Sequence, residues 1–319
     1  MFHVPVSLRS FTELCLAWSN VIRGISFIPG NQKTLMKNNC LLRIIGKILL
    51  LCMPSEETLI KLDYEKTDDI RAFLKDVINQ LRDDAFTALS FIAGPQLDLF
   101  ELDSGISYPI FSALLLWTVS NSNSSRDPLV QDGTISSRDY CLEIIAKMSV
   151  NEQNVDLLLS AGSDQIIERF VIIVSELLHV GEDTHIREFA LVIMAAVCDG
   201  SELACICAAL KTNIVKTVLT FLEYAVNTKG FDYRNDEELI GTTIGMLNKA
   251  VSLLESMVQY EICRKPFIMN IYKLVNLTSS PYMDPQLITR LDAIIHIVHP
   301  GYDLRNRLSE ARNFVIPKL

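Results

Sequence analysis

One phrase occurs twice, and it constrains the fold more than any other feature. Residues Trp18 to Asn31, WSNVIRGISFIPGN, and residues Leu142 to Asn154, LEIIAKMSVNEQN, share a pattern 123 positions apart. With no gap, Val21 falls on Ile144, Ile22 on Ile145, Ile25 on Met148, Ser26 on Ser149, Asn31 on Asn154 and Leu35 on Leu158. The match runs on through Ile44 on Ile167, Ile48 on Val171 and Leu49 on Ile172. Apolar residues recur three and four apart almost everywhere and show no sustained alternation, so each copy reads as helix, turn, helix, helix.

In each copy the first helix is expected to end near the Ser, with the Asn in or beside the turn. The second helix carries Leu35 or Leu158 inward, and a small or polar break follows, Asn38-Asn39 or Ala161-Gly162. The third helix is LLRIIGKILLL in one copy and DQIIERFVIIVSELL in the other, and Leu158 and Ile172 are expected in the core. Comparable phrases start at Phe86, Leu191 and, more weakly, Ile244. Units of about 40 residues built from two or three helices mark HEAT and armadillo arrays. One unit cannot bury its apolar faces alone, so neighbours must stack. The expected fold is therefore all-α, an armadillo/HEAT-like helical repeat solenoid.

Breaks fall at Pro29-Gly30, Pro54, Gly94-Pro95, Asp127-Pro128, Gly181, Gly200, Gly230, Pro281 and Pro300-Gly301. They divide the chain into an N-terminal tail (1–10), a repeat body (11–300) and a C-terminal tail (301–319). Although 123 residues is close to three periods, only one clear unit lies between the two copies. Two solvated loops, near 54–69 and 120–137, fill the remainder, and the second, rich in Ser and Asn, is the one expected to be disordered.

A net charge of −9 argues against a surface built for sequence-independent binding of polyphosphate. The most apolar stretch, Phe189 to Cys198, is about half of the roughly 20 residues that a bilayer span needs, so no membrane partner is expected. Arg9 and Glu13 precede any compact apolar segment, unlike a secretory signal. In the reducing compartment this implies, the eight cysteines are expected as free thiols packed like small hydrophobes. Cys205 and Cys207 lie two apart on a helical stretch near Cys198 and face opposite sides, so no metal site is expected. His179 and His185 flank a Gly-Glu-Asp turn, and His296 and His299 stand at a helix end.

No glycine-rich phosphate cradle, Gly-x-Ser-x-Gly elbow or His-Glu-x-x-His pair occurs, and the acidic runs read as solvated faces, so neither catalysis nor a cofactor is expected. Trp18 and Trp117 are both expected to pack in the core.

LAWSNVIRGISFIPGN, LLRIIGKILLL, LDYEK, LSFIAGPQLDL, NEQNVDLLLS, CDGSELACICAALKTNIVKTVLTFLEYA and SSPYMDPQLITRLDAIIHIV follow one another in order. From about Phe11 to Val298 this series resembles the C-terminal domain of the Osa/Eyelid family, the AT-rich interactive domain-containing protein 1 subunits of SWI/SNF (BAF) chromatin-remodelling complexes. The resemblance implies a nuclear, non-catalytic armadillo-like scaffold contributing to transcriptional regulation. Its implied partners are the SWI/SNF core subunits and the helical segment preceding the motor of the ATPase subunit, with no small-molecule substrate. No segment matches the family's AT-rich DNA-binding domain, so DNA contact is expected to be indirect. The family domain begins before the matching segments do, so an apolar N-terminal end is expected to lack its polar cap.

In armadillo folds the third helices line the groove that takes partner segments. Arg43, Lys47, Arg169, Lys216 and Lys273 interrupt otherwise apolar third helices, and they are the expected partner-binding residues. An alternative is a substrate adaptor of an elongin-type ubiquitin ligase, for which Ala88-Leu89, Ala93 and Leu97 loosely fit the box, although Gly94-Pro95 would break the helix it needs. A further alternative, another armadillo-like peptide-binding adaptor, wants a ladder of Trp and Asn on successive third helices, and only Asn213 is suitably placed.

Overall fold

The computed structural model describes residues 5–53, 68–126, 135–227 and 243–301. Among these residues the regular structure is helical and no β-strand forms. The loop expected near 54–69 lies outside the described residues up to 67, as does the loop near 120–137 over 127–134; the breaks at Pro54, Asp127-Pro128 and Gly230 and residues 302–319 of the tail lie outside them too.

Helices come in trios. The first repeat is α1 (Val6–Ser26), α2 (Gln32–Met36) and α3 (Asn39–Leu51). The second has α4 (Asp68–Ile92) and α5 (Ser104–Val119), with turns where a middle helix would be. A single turn, α6 (Asn123–Arg126), leads toward the third repeat: α7 (Ser137–Met148), α8 (Glu152–Ser160) and α9 (Asp164–Glu176). Next come α10 (Thr184–Gly200), α11 (Glu202–Lys211) and α12 (Ile214–Asn227), and α11 and α12 meet at a bend of 82°. The fifth trio is α13 (Ile244–Val258), a 3-10 turn running into α14 (Arg264–Met269), and α15 (Ile271–Thr278); α16 (Pro285–Val298) follows. This is the armadillo-like repeat that the sequence predicts, with one unit between the two copies of the opening phrase.

The starts of these helices are written in the sequence. Asp103, Ser136, Asn151, Asp183, Ser201, Thr243 and Asp284 each accept a backbone N–H of the following turn, and Ser136 with Asp139 forms a full capping box. Pro285 then takes the first helical position, where its missing N–H costs nothing. No helix among the described residues is long and apolar enough by itself to cross a bilayer.

The chain forms two compact units, Met1–Ile167 and Glu168–Leu319. In the first, α3 packs on α5 and α1 on α4. Trp117 of α5 is buried; its ring meets Phe86 edge-on at 5.7 Å between centroids, and its indole N–H donates to Leu49 O of α3 at 3.0 Å. Phe86 stacks in turn on Tyr140 of α7 at 6.1 Å. In the second unit α10 packs along α13, and Ala190, Ile193, Met194 and Val197 of the one and Leu247, Leu254 and Met257 of the other are all buried. Arg187 is buried there as well, with its guanidinium 5.5 Å from the Phe221 ring centroid and donating to the carbonyls of Val180 and Glu182.

Three expectations need correction. Helix α1 begins at Val6, so residues 6–10 belong to the repeat body and not to a tail. The ungapped offset of 123 holds through the first helix and the turn but not through the third helix: α3 starts at Asn39 and α9 at Asp164, an offset of 125. On that register Ile45 corresponds to Phe170 and Leu49 to Val174, all of them buried, whereas Ile172 is only half-buried. Lastly, Trp18 is 62% exposed and not in the core.

Candidate functional site

The residues expected to meet partners sit on third helices, and packing decides which way each one faces. In α3, Leu42, Ile45 and Leu49 turn inward, and Gly46 lets the helix lie so close to α5 that an added Cβ would come within 3.0 Å of Ile110 Cγ1. Asn38 fixes the start by accepting the N–H of Leu41 at 3.0 Å. Arg43 and Lys47, one turn apart, are thereby held on the exposed side. In the second unit Arg169 of α9 and Lys216 of α12 are exposed in the same manner.

Lys273 of α15 departs from that outward expectation. Its side chain is 11% exposed and its ammonium is paired with Glu223 of α12, 5.8 Å from the centroid of the Tyr272 ring. It joins two successive third helices instead of facing a partner. A comparable link binds Arg290 of α16 to Glu255, Asn248 and Ser252 of α13, and the carboxylate of Glu255 raises the Arg290 pKa above its ordinary value. Sequence spacing gives Lys273 an outward, partner-facing reading, because the register that aims it at a neighbouring repeat comes only with stacking.

Beside α3 lies an apolar channel of about 450 Å³. Its walls are Leu14, Trp18 and Ile22 of α1 and Ile44 and Ile48 of α3; Leu81, Ala85 and Ala88 of α4 form the floor. One buried carboxylate, Asp84, faces it. That charge is used inside the protein: Arg23 Nη1 stands 3.0 Å from Asp84, Ser19 donates at 2.8 Å and Gln80 at 3.0 Å. Arg82 and Asp83 pair alongside at 2.8 Å, and burial pushes the Asp83 carboxyl above its ordinary range.

The elongin-type box has no exposed face. Ala88, Leu89, Ala93 and Leu97 are all buried, and α4 stops at Ile92, just before Gly94-Pro95. Asn213 sits ahead of α12 and not along it, where a ladder residue would have to be.

Four of the eight thiols pack as expected, since Cys141, Cys198, Cys205 and Cys263 are buried, whereas Cys15, Cys52 and Cys207 are half-buried and Cys40 is exposed. Cys205 Sγ donates to Cys198 O at 3.0 Å. That neighbour, together with burial, raises the Cys198 pKa; burial, with a smaller push from a nearby carboxylate, drives Cys141 well up and pushes Cys52 to about 12. No group of three or more His, Cys, Asp or Glu among the described residues could hold a metal ion.

Sequence reasoning gave Asn31 and Asn154 only turn chemistry, and the structure adds a second role to one of them. Asn31 Nδ2 donates to Ile25 O at 3.1 Å, and Asn154 Nδ2 makes the corresponding bond to Met148 O at 3.3 Å, so the offset of 123 is kept atom for atom. Asn154, which is buried, also reaches the preceding repeat: it donates to Leu97 O at 2.8 Å and accepts from Leu99 N at 3.0 Å. The recurrence of this Asn was the available signal.

Two designed armadillo repeat proteins, one of them solved in complex with the peptide (KR)4, each match 87% of the chain over 98% of their own. Their identities are 12% and 10% and their TM-scores 0.44 and 0.42. In sequence, the Trithorax group protein osa of Drosophila melanogaster is 26% identical over an alignment of 322 positions that covers 93% of this chain. The chain spans only 12% of that relative's length. The model of the SWI/SNF-like complex subunit BAF250/Osa family matches residues 10–247, and the chain belongs to that family.

Proposed function

We propose that this chain is a non-catalytic scaffold of a SWI/SNF-type chromatin-remodelling complex, acting in the nucleus and contributing to transcriptional regulation. The observation that carries this reading is the family match over residues 10–247, which runs from the first turns of α1 through the fourth repeat and reaches into α13. Stacked helical repeats present long, preformed surfaces, and such surfaces suit a subunit that holds others in place. On this reading the core subunits and the helical segment preceding the ATPase motor are the partners, and DNA is contacted only through them.

Exposed cations on the third helices meet those partners: Arg43 and Lys47 in the first unit, Arg169 and Lys216 in the second. Lys273 serves the same surface indirectly, by fixing α15 against α12. The test is affinity purification of the tagged chain from nuclear extract at moderate salt, followed by mass spectrometry. Recovery of the ATPase and core subunits is expected. A folded chain that recovers none of them would overturn the scaffold reading.

A further inference from the structure

Second helices tell the repeats apart. An offset of 50 lays α8 on α11 with matching interiors: Asn154, Val155 and Leu158 fall on Ala204, Cys205 and Ala208, all of them buried. The outward positions do not match. In α8 they are Gln153, Asp156 and Ser160, and around α2 the equivalents are Lys33 and Lys37, whereas in α11 they are Leu203, Ile206 and Leu210. From Leu203 to Leu210 the sequence LACICAAL has no polar side chain beyond two thiols, so α11 is apolar all round, the pattern of a helix covered on every side. Leu203 and Leu210 nevertheless stand 75% and 55% exposed on its outer face. The next repeat continues that face. An offset of 59 takes Glu202 to Glu261, Leu203 to Ile262 and Leu210 to Met269, and Ile262 and Met269 are 52% and 69% exposed. Helix α11 touches the 3-10 turn Glu261–Cys263, and burial, with Cys205 and Glu202, raises the Cys263 pKa to about 11, so the two segments lie with their N-terminal ends side by side.

The chemistry of α11 is complementary to itself when read backwards: acid, leucine, six apolar residues, leucine, base, from Glu202 to Lys211. A two-fold axis lying across the middle of the helix therefore sets Glu202 of one copy against Lys211 of another and Leu203 against Leu210, each contact made twice. The same axis crosses the neighbouring segment midway between Ile262 and Met269, which then meet one another. Laid parallel instead, the two faces would set Glu202 against Glu261. Lys211 also pairs with Glu168 of its own chain, but both side chains are nearly half exposed, so that pair is worth little and can be exchanged. One feature opposes the contact: exposed Lys265 falls near the axis and faces its own copy.

We propose that the outer face of α11 and of the segment Glu261–Met269 is a self-association surface, on which two copies of the chain meet antiparallel about a two-fold axis. The proposal is independent of the scaffold reading, which concerns the third helices. Two segments of about 15 Å lying about 10 Å apart make a face of about 300 Å² in plan. A stable interface takes roughly 800 Å² from each partner, so the pair is weak and reversible. Its apolar centre supplies the affinity, and the Glu202–Lys211 pairs fix the direction.

The test is analytical ultracentrifugation of the purified chain from about 1 to about 200 μM, where monomer is expected to give way to dimer with a Kd of the order of 10–100 μM. Leu203→Glu and Leu210→Glu, both at exposed positions, should each weaken the dimer about tenfold or more with unchanged thermal melting. Glu202→Lys alone and Lys211→Glu alone should weaken it as well, and the two combined should restore it, because the pair is then only reversed. Lys265→Met, which removes the opposed charges, should tighten it. A chain that stays monomeric at about 200 μM overturns the proposal, and so does a dimer that survives Leu203→Glu; if that dimer dissociates on Trp18→Glu instead, the surface is the exposed side of α1. A charge swap that fails to restore association overturns the two-fold register. Should the chain be monomeric throughout while Leu203→Glu loses proteins that the parent recovers from nuclear extract, the occupant is another protein and not a second copy. Because sedimentation uses the purified chain alone, its failure is distinct from failure to recover remodeller subunits from extract.

Discussion

At the scale of single residues, Asn154 joins two repeats through one amide. Its three hydrogen bonds go to Leu97, Leu99 and Met148, all backbone groups. Replacement by Ala would leave a buried N–H and a buried carbonyl without partners, and each such loss costs about 1–3 kcal/mol. We expect Asn154→Ala to lower stability by at least that much in urea unfolding. Asn31→Ala, at a half-buried site with one bond to Ile25 O, should cost about 1 kcal/mol or less. A second residue-scale contrast follows from the corrected register. Leu158 is fully buried, and truncation to Ala should cost about 2–5 kcal/mol through the cavity it leaves. Ile172→Ala, at a half-buried position, should cost clearly less, and equal shifts of the two melting curves would contradict the register. Thiol reactivity should follow burial: at pH 8, alkylation followed by mass spectrometry is expected to modify exposed Cys40 first. Cys52, with its pKa near 12, and buried Cys141 and Cys198 should react only as fast as the protein opens.

Between elements, α3 and α5 approach closely at Gly46. A Cβ there would meet Ile110 Cγ1 at 3.0 Å, Ile110 N at 3.2 Å and Pro109 Cβ at 3.2 Å, two of which lie on or next to rigid backbone. Gly46→Leu should therefore overpack the contact and cost about 1–3 kcal/mol, despite the better helix propensity of Leu. Gly24, on α1, has nothing within 4 Å of the same added atom, so Gly24→Ala should instead gain up to about 1 kcal/mol. Circular dichroism melts of the two variants would separate contact from propensity. Helix identity and order were legible from apolar spacing, and helix starts from Ser, Asp and Asn caps. The two-residue displacement of α9 was not, because Val171 to Val174 is apolar throughout and either Ile172 or Val174 could be aligned with Leu49 of α3. Trp18 misled for a related reason: periodicity says that α1 has an apolar face but is silent on whether a neighbour covers it.

For the whole molecule, the division of charge between partners and folding is what sequence could not show, since a lysine on an amphipathic helix looks the same in either role. Lys47 and Lys216 are exposed, so Lys47→Glu and Lys216→Glu should leave melting within about 0.5 kcal/mol of the parent. If the scaffold reading holds, the same changes reduce the recovery of remodeller subunits from nuclear extract. Lys273 should behave in the opposite sense. Its loss as Lys273→Met leaves Glu223 of α12 partly buried without its cation, and a hydrogen bond to a charged group is worth about 1.5–3 kcal/mol. The variant should melt earlier, yet at temperatures where it is still folded it should retain partners as the parent does. Measured together, melting and partner recovery place each lysine in one class. A Lys273 variant of normal stability that lost its partners would move this residue to the docking surface, and Lys47 and Lys216 variants that kept theirs would remove those two from it.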